Sequence, residues 1–191
     1  MKIIGVLGDI GSGKSFVSKK FNCPVFNADE EVSKLYNKSY SCFKKLKKEF
    51  PKNIKKFPID KKELIKILVK NKSNLKKIIK IIHPLVRIKM NKFLKKNSKK
   101  KLVVLDIPLL IENKLYKKNY ILLYIQADTK EIQSRLKKRK NFNKKIYKDL
   151  KMLQLSLSKK KKLANFIIFN DFKMKNLSKN VKIIKNKILK K

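Results

Sequence analysis

Eight residues near the amino terminus have the types and spacing needed to hold a chain of phosphates. The segment Gly8-Asp9-Ile10-Gly11-Ser12-Gly13-Lys14-Ser15 follows the pattern G-x-x-x-x-G-K-S. In this pattern, successive backbone N–H groups surround a phosphate at a helix N-terminus, where the helix dipole favours anions. Lys14 would place positive charge on the β- and γ-phosphates, and the Ser15 hydroxyl would ligate Mg²⁺. The sequence therefore predicts a phosphate-binding loop (P-loop) whose ligand is a nucleoside triphosphate.

The residues around this loop have the pattern of a strand followed by a helix. Residues 2–7 form an apolar run typical of a buried parallel strand, and residues 16–21 have apolar spacing that suits a helix. All four glycines of the chain lie between Gly5 and Gly13. A chance glycine-rich turn is the alternative, but motif, context and glycine clustering agree on a P-loop.

Two acidic residues end predicted strands, where each has two possible roles. Asp29 closes the segment 24–29, on the sheet edge that carries the P-loop, and could orient an acceptor hydroxyl or take its proton. The alternative is that it caps a helix that starts at Glu30. Asp106 closes an apolar strand at 102–107, and could contact Mg²⁺ or its water, or simply begin a turn.

Arg135 and Arg139 are spaced four residues apart, so a helix over residues 129–140 would place them on one face. Only three of the 54 basic residues are Arg. In a chain that otherwise uses Lys, this pair indicates a need for bidentate contact with phosphate. The alternative is an exposed surface pair.

The remaining elements alternate strands with helices, which predicts an α/β fold of the P-loop NTPase type: a parallel sheet flanked by helices. Residues 30–96 are expected to be helical almost throughout, with start signals at Asp60 and Ser73 and a break near His83-Pro84. Further strands are expected at 120–126 and 166–169, and further helices at 144–163 and 176–190.

The composition bounds the class of protein. The 191 residues fit one domain, and 42% hydrophobic residues can fill a core, which disfavours intrinsic disorder. No stretch approaches a membrane span and no signal peptide is visible, so we expect a soluble, cytoplasmic protein without a membrane partner. Cys23 and Cys42 lack metal-ligand or disulfide spacing and are interpreted as small apolar fillers.

The net charge of +41 is spread over every segment, in a chain with abundant Asn and Ile as well as Lys. We interpret it as a compositional background without a specific nucleic-acid partner, because basic clusters indicate nucleic-acid binding best when they are localised. The rival interpretation is a nucleic-acid-binding protein with a residual P-loop. It predicts binding that persists near physiological salt, whereas simple attraction to lysines would fade steeply.

Among P-loop proteins, the length argues against motors and ABC-type ATPases, and no Asn-Lys-x-Asp stretch for guanine recognition is present. These observations favour a small-molecule kinase, in which phosphoryl transfer depends mainly on positioning and charge stabilisation. A nucleoside or nucleotide kinase shares the same features and stays open as an alternative.

The chain resembles the dephospho-CoA kinases, which catalyse the last step of coenzyme A synthesis, from Ile3 to about Asn170. The matching segments are the loop Gly5–Ser15, Asn27-Ala28-Asp29 for Asp-Ala-Asp, His83-Pro84-Leu85-Val86 followed by Arg87 for His-Pro-x-Val, Asp106–Glu112 for Asp-x-Pro-Leu-Leu-x-Glu, the lid pair Arg135 and Arg139, Gln154, and Ala164–Asn170 for Ala-Asp-x-x-Ile-x-Asn. The P-loop alone is shared by thousands of proteins, whereas this ordered set is specific.

This resemblance implies that ATP, with Mg²⁺, phosphorylates the ribose 3′-hydroxyl of dephospho-CoA. The implied catalytic residues are Asp29, Lys14 and Arg139. The implied ATP-binding residues are Gly8, Asp9, Ile10, Gly11, Ser12, Gly13, Lys14, Ser15, Phe16, Arg135 and Asn170. The implied substrate-binding residues are Asp29, His83, Arg87, Asp106, Pro108, Leu109 and Glu112, and the implied metal ligands are Ser15 and Asp106.

The resemblance also implies one kinase domain, as a monomer or small homo-oligomer. Its core would comprise residues 1–29, 101–127 and 164–191, with a helical CoA-substrate subdomain at about 30–96 and a lid at about 128–150. His83 could instead be a helix-end residue bonded to backbone.

Four departures from the family pattern bear on the catalytic rate and on the affinity for substrates. Asp9 replaces a glycine in the phosphate cradle, and Asn27 and Asn165 each replace an Asp. The usual Arg of the helical insertion is matched by Lys61 or Lys62, which cannot make a bidentate fork.

Overall fold

A computed structural model describes residues 1–138 and 142–190 of the chain; Arg139 therefore lies outside the described residues. Its centre is a five-stranded parallel sheet in the order β2-β3-β1-β4-β5. The strands are β1 Lys2–Gly8, β2 Val25–Asn27, β3 Leu102–Asp106, β4 Ile121–Gln126 and β5 Phe166–Phe169. β3 is buried over its whole length, as expected of an inner strand covered on both faces. The predicted fold class is confirmed.

Nine helices lie within the described ranges, and four of them stand between β2 and β3. They are α1 Lys14–Lys20, α2 Ala28–Lys38, α3 Tyr40–Glu49, α4 Lys61–Lys70, α5 Lys72–Lys96, α6 Thr129–Lys137, α7 Lys144–Met152, α8 Leu157–Leu163 and α9 Met174–Lys190. The division into core, helical subdomain and lid stays a prediction. None of the helices described here is both long and apolar enough to cross a membrane.

Two hydrophobic clusters cover the sheet. One contains Ile4 and Leu123 of the strands together with Phe21, at the end of α1, and Leu177 of α9. The other joins the sheet to the inserted helices through Leu105, and extends over residues of α2–α5. The sheet is therefore closely packed on both faces, and this packing sets the relative positions of the strand ends.

The register brings the carboxyl ends of the strands to one edge. Asn27 lies beside Asp106 in the β2–β3 pair, and Gly8 lies beside Ile125 in the β1–β4 pair. In open parallel sheets this edge is where ligands bind. The P-loop and the predicted acidic residues therefore share one face of the molecule.

The predicted bounds of two elements were wrong. β2 ends at Asn27 rather than at Asp29, because the Asn27 side chain accepts the Glu30 N–H and starts α2. Asp29 therefore does not cap this helix. The helix predicted at 144–163 is interrupted after Met152, and Ser156 caps a separate α8.

α5 also differs from the prediction. It starts after Asn71, whose side chain accepts the Ser73 N–H, so Ser73 is not the cap. It then passes through Pro84 without ending. Pro84 is exposed, whereas Ile82 and Val86 on either side of it are buried. Burial of the apolar face holds the helix together although proline removes one backbone donor.

Candidate active site

The P-loop runs from the end of β1 to the start of α1 and has the backbone its motif requires. Gly13, directly before the helix, has φ +87°, and a Cβ there would lie 2.3 Å from Asn170 Nδ2. Only glycine fits such a conformation and such a close approach. The Ser12 hydroxyl is buried, with no hydrogen-bond partner among the described residues. A phosphate oxygen would satisfy such a donor, so the loop fits the anion predicted from its sequence.

Lys14 is folded back onto the loop. Its Nζ donates to the carbonyl of Asp9 at 2.7 Å and more weakly to that of Gly8 at 3.4 Å. The pKa of Lys14 is lowered to about 8, chiefly by burial and to a smaller extent by the nearby Lys160, while Asp106 is the largest of the influences that oppose this shift. A phosphate at this position would supply the negative charge that Lys14 needs in order to remain protonated.

Asp106, Ser15 and Asn27 form a polar cluster beside Lys14. The Asp106 carboxylate is buried, accepts from Asn27 Nδ2 at 2.9 Å and is hydrogen-bonded by the Ser15 side chain. Burial raises the pKa of Asp106, although Ser15 and Lys14 oppose this rise. The sequence left two roles open for Asp106, a contact with Mg²⁺ or its water and the start of a turn, and its burial in this cluster favours the metal contact.

The same cluster tests the fit for Mg²⁺. A hydroxyl and a carboxylate oxygen are suitable ligands for a cation that usually keeps several waters and also binds substrate phosphates. Within the described ranges there is no group of three or more acidic, His or Cys side chains that could form an all-protein metal cage. Ser15 and Asp106 therefore fit a magnesium ion brought in with a nucleotide.

A cavity of about 530 Å³ joins these groups. Asp29, exposed in the first turn of α2, faces it together with the P-loop. The lining residues are Ile10, Gly11, Gly13, Lys14, Ser15, Phe16, Asp29, Asp106, Pro108, Leu109, Leu150 and Gln154. The structure thus brings the P-loop together with four of the seven predicted substrate-binding residues, which are Asp29, Asp106, Pro108 and Leu109.

Asp9, the departure from the family's glycine, is turned away from solvent. One carboxylate oxygen accepts the Ile10 N–H at 2.7 Å, and the other forms an ion pair with Lys151. Lys151 lies on α7, whose Leu150 lines the cavity. A lysine from α7 therefore offsets the additional negative charge in the phosphate cradle.

Arg135 is on α6, with its guanidinium 4.0 Å from the centre of the Phe172 ring and its Nε 3.7 Å from Glu131 Oε2. α6 ends at Lys137, two residues before Arg139, which is the predicted partner of Arg135. Because Arg139 is outside the described residues, the expected convergence of the two guanidinium groups stays a prediction.

Asn170 and Glu112 lie behind the cavity rather than on its wall. Asn170 is buried, and its Nδ2 donates to the Ser12 carbonyl at 2.9 Å, so it supports the P-loop. Glu112 Oε1 accepts the Leu155 N–H at 2.9 Å and lies 3.0 Å from Lys160 Nζ. These contacts hold the site's framework together.

His83 and Arg87 lie on α5 and do not line the cavity. His83 is half-buried, and its pKa is lowered by burial and, to a smaller extent, by Arg87. Arg87 is exposed, with Nη2 3.5 Å from the carbonyl of Asn113. Their predicted contact with a substrate therefore stays a prediction.

Sequence reasoning missed Leu150, Lys151 and Lys160. Nothing in their types distinguished them, since Leu is ordinary in a helix and the two lysines stand among many others. Only Gln154, which also lines the cavity, carried a signal, through its match to the family's later Gln.

Comparison with known proteins decides the family to which this site belongs. The family model for dephospho-CoA kinase matches residues 2–176. The chain belongs to the dephospho-CoA kinase family. The curated dephospho-CoA kinase of Bartonella henselae is 35% identical over the whole of both chains. That of Fusobacterium nucleatum is 33% identical over 94% of each.

Solved structures agree with this family assignment at the level of the fold. The protein TT1252 from Thermus thermophilus has a TM-score of 0.77 at 25% identity, covering 98% of this chain and 97% of that one. A dephospho-CoA kinase from Campylobacter jejuni has a TM-score of 0.68 at 22% identity, covering 100% and 98%. Shikimate kinase from Bacteroides thetaiotaomicron, at 12% identity and a TM-score of 0.52, has a similar fold. The fold is therefore that of a P-loop kinase.

Proposed function

We propose that the protein transfers the γ-phosphoryl group of ATP to the ribose 3′-hydroxyl of dephospho-CoA, giving coenzyme A and ADP. The observation that carries this proposal is the cavity shared by Lys14, Asp29 and Asp106 in a chain that matches the family over residues 2–176. In the transfer, the bond from the γ-phosphorus to the β–γ bridging oxygen breaks, and a bond to the 3′-oxygen forms. The hydroxyl proton needs an acceptor within reach.

The P-loop would hold the ATP phosphates. Backbone N–H groups of the loop and the Ser12 hydroxyl would bind oxygens of the phosphate chain, and Lys14 would lie beside the charge that develops on the leaving group. For this, Lys14 would leave the Asp9 carbonyl that it now contacts. Arg135, and by resemblance Arg139, would approach the nucleotide from the lid.

Asp29 would accept the proton of the acceptor hydroxyl. Its carboxylate lies on the cavity wall in the first turn of α2, and it is near enough to Lys14 and Asp106 to influence their pKa values. Asp106 is buried and hydrogen-bonded to Asn27, so it is the less available base. This assignment gives the two carboxylates different roles.

Ser15 and Asp106 would hold Mg²⁺. When bound, the ion supplies charge neutralisation on the β- and γ-phosphate oxygens. Asn27 keeps the Asp106 carboxylate oriented through its 2.9 Å hydrogen bond. The amide at this position is compatible with a carboxylate neighbour, whereas the family's Asp would set two carboxylates side by side.

The acceptor would lie against the loop after β3 and the inserted helices. Pro108 and Leu109 border the cavity on this side, and Leu109 has φ +59°. His83 and Arg87 would contact more distant parts of dephospho-CoA from α5. We place the reaction in the cytoplasm, without a nucleic-acid or membrane partner, and a monomer or small homo-oligomer remains the expected state.

A coupled ADP-release assay with ATP, Mg²⁺ and dephospho-CoA tests this function, with adenosine and AMP as alternative acceptors. Turnover with dephospho-CoA alone is the expected result. Lys14→Ala is the matched control for background ATPase, because it removes the P-loop charge and leaves the other cavity residues unchanged. Turnover with adenosine or AMP, but not with dephospho-CoA, would instead make the protein a nucleoside or nucleotide kinase.

A further inference from the structure

Lys160 differs from the lysines next to it. It belongs to the run Lys159–Lys162 on α8, which reads from the sequence as a solvated face. Lys159, Lys161 and Lys162 are exposed, whereas Lys160 is 3% exposed. Because a buried ammonium group is costly unless it is paired and hydrogen-bonded, its environment needs an explanation.

Two side chains from different segments surround the Lys160 ammonium group. Its Nζ lies 3.0 Å from Glu112 Oε1 and 3.1 Å from Gln154 Oε1. The same Glu112 oxygen accepts the Leu155 N–H at 2.9 Å. Lys160 therefore ties the segment after β3 to the turn between α7 and α8.

Both tied segments reach the site of phosphoryl transfer. Gln154 lines the main cavity together with Lys14, and Leu109, three residues before Glu112, lines it as well. A smaller cavity beside it is lined by both Lys14 and Lys160. The buried ion pair is thus a neighbour of the catalytic lysine but is not itself on the wall of the main cavity.

We propose that Lys160 is a positioning residue for phosphoryl transfer, which neutralises Glu112 and holds Gln154 and the loop after β3 in place against Lys14. This inference rests on the proposed function. Without Lys160, the Glu112 carboxylate would remain buried and unpaired close to the place where the phosphates bind. Removing one partner of a buried pair is much more damaging than removing both.

Lys160→Met tests the proposal, since methionine keeps the unbranched apolar stem and removes the charge. We expect kcat to fall by about 10- to 100-fold, by analogy with the loss seen when a residue that orients a metal ligand is removed. We also expect the Kd for ATP to rise. Lys160→Arg keeps the positive charge, so its kcat and its Kd for ATP should both lie close to the wild-type values. Lys162→Met, an exposed lysine of the same helix, should behave like the wild-type protein.

The double variant Lys160→Met/Glu112→Gln separates pairing from other roles. Glutamine keeps an oxygen for the Leu155 N–H, and the pair of changes leaves no unpaired buried charge, so the double variant should fold even if Lys160→Met does not. We expect it to regain most of the kcat and ATP affinity that Lys160→Met loses. Unchanged values in Lys160→Met would overturn the proposal. A double variant as impaired as a folded Lys160→Met would also overturn it.

Binding of ATP keeps this test separate from the test of the function. If the wild-type protein binds ATP but does not turn over dephospho-CoA, the proposed function fails. The Kd values for ATP of Lys160→Met and of the double variant would still show whether the pairing of Glu112 with Lys160 affects ATP binding.

Discussion

At the scale of single residues, the site combines groups whose charges are balanced in pairs. Asp9 is paired with Lys151, and Glu112 is paired with Lys160. Both lysines come from the segment after α6, whereas Asp9 belongs to the P-loop and Glu112 to the loop after β3. A lysine thus offsets the charge of each of these two carboxylates near the phosphate site.

The pair of Asp9 and Lys151 predicts changes of opposite sign in ATP affinity. Asp9→Asn removes a negative charge from the phosphate cradle and releases Lys151, so ATP should bind about three- to tenfold more tightly, on the order of 1 kcal/mol. Lys151→Met leaves Asp9 unpaired and should weaken binding by a similar factor. Isothermal titration calorimetry with ATP measures both.

The double variant Asp9→Asn/Lys151→Met is the control for this pair. Because it removes both charges, its ATP affinity should lie between those of the single variants and close to that of the wild-type protein. Affinities that fall by the same factor in Asp9→Asn and Lys151→Met would contradict the electrostatic explanation.

The lowered pKa of Lys14 predicts a limit to activity at alkaline pH. A lysine whose pKa is about 8 in the folded protein, rather than 10.5, loses its positive charge as the pH rises through about 8. The kcat/KM for ATP, which reports the free enzyme, should therefore fall above that pH. The fall in kcat should come at higher pH, because bound phosphates favour the charged amine.

Steady-state kinetics from about pH 6.5 to pH 10 measure both profiles. Lys162→Met provides the control, since an exposed lysine should leave the profile unchanged. A kcat/KM that stays constant to pH 10 would contradict the assignment of Lys14 as the charged group that binds ATP.

At the scale of elements, local capping decides where a helix starts, whereas tertiary packing decides how far it continues. Asn27 and Asn71 start α2 and α5 with the side-chain hydrogen bonds that an N-cap requires. α5 then continues past Pro84 because buried residues on both sides of it pack against the sheet and the other helices. The His83-Pro84 pair was therefore insufficient to locate the end of this helix.

The identity of the α5 cap is testable by stability. Asn71→Ala removes the oxygen that accepts the Ser73 N–H and should lower the free energy of unfolding by about 1 kcal/mol. Ser73→Ala is the matched control and should change it by less than about 0.5 kcal/mol. Urea denaturation followed by circular dichroism gives both values. A larger loss in Ser73→Ala than in Asn71→Ala would move the cap to Ser73.

At the scale of the whole molecule, the net charge of +41 opposes compactness. Surface ion pairs contribute little to the free energy of unfolding, because their lysine side chains are exposed. Examples are Lys34 with Glu31 and Lys66 with Glu63. The two hydrophobic clusters must therefore supply most of the stability. Screening of the lysines by salt should matter more here than in a protein of balanced charge.

Salt should therefore stabilise this protein. Raising NaCl from about 0.01 to 0.1 M shortens the Debye length from about 30 to about 10 Å and weakens repulsion between lysines. We expect Tm to rise by several degrees, where about 1 kcal/mol corresponds to about 2–4 °C for a chain of this size. Differential scanning calorimetry measures this change.

Sulfate at matched ionic strength separates screening from anion binding. It should raise Tm further than chloride, because it can occupy the P-loop as well as screen the lysines. The additional rise should shrink in Lys14→Ala. A Tm that is constant or falls with NaCl would contradict the role given to charge repulsion.

The sequence by itself determined the P-loop, the parallel sheet and the family, and it singled out Asp29 and Asp106, which both line the cavity. These features are encoded locally, in a motif of eight residues and in short apolar runs, so reading along the chain finds them. The structure then added Leu150 and Gln154 to the cavity wall and placed Asn170 behind the loop as a support.

Only the tertiary structure decided which charges are paired. Asp9 and Lys151 are separated by 142 residues in the chain, and Asn27 and Asp106 by 79. Lys160 has the same side chain as Lys159, Lys161 and Lys162, yet it is the one of the four that is buried. Pairing and burial depend on how distant segments pack. The sequence around a lysine therefore does not indicate which carboxylate the lysine will contact.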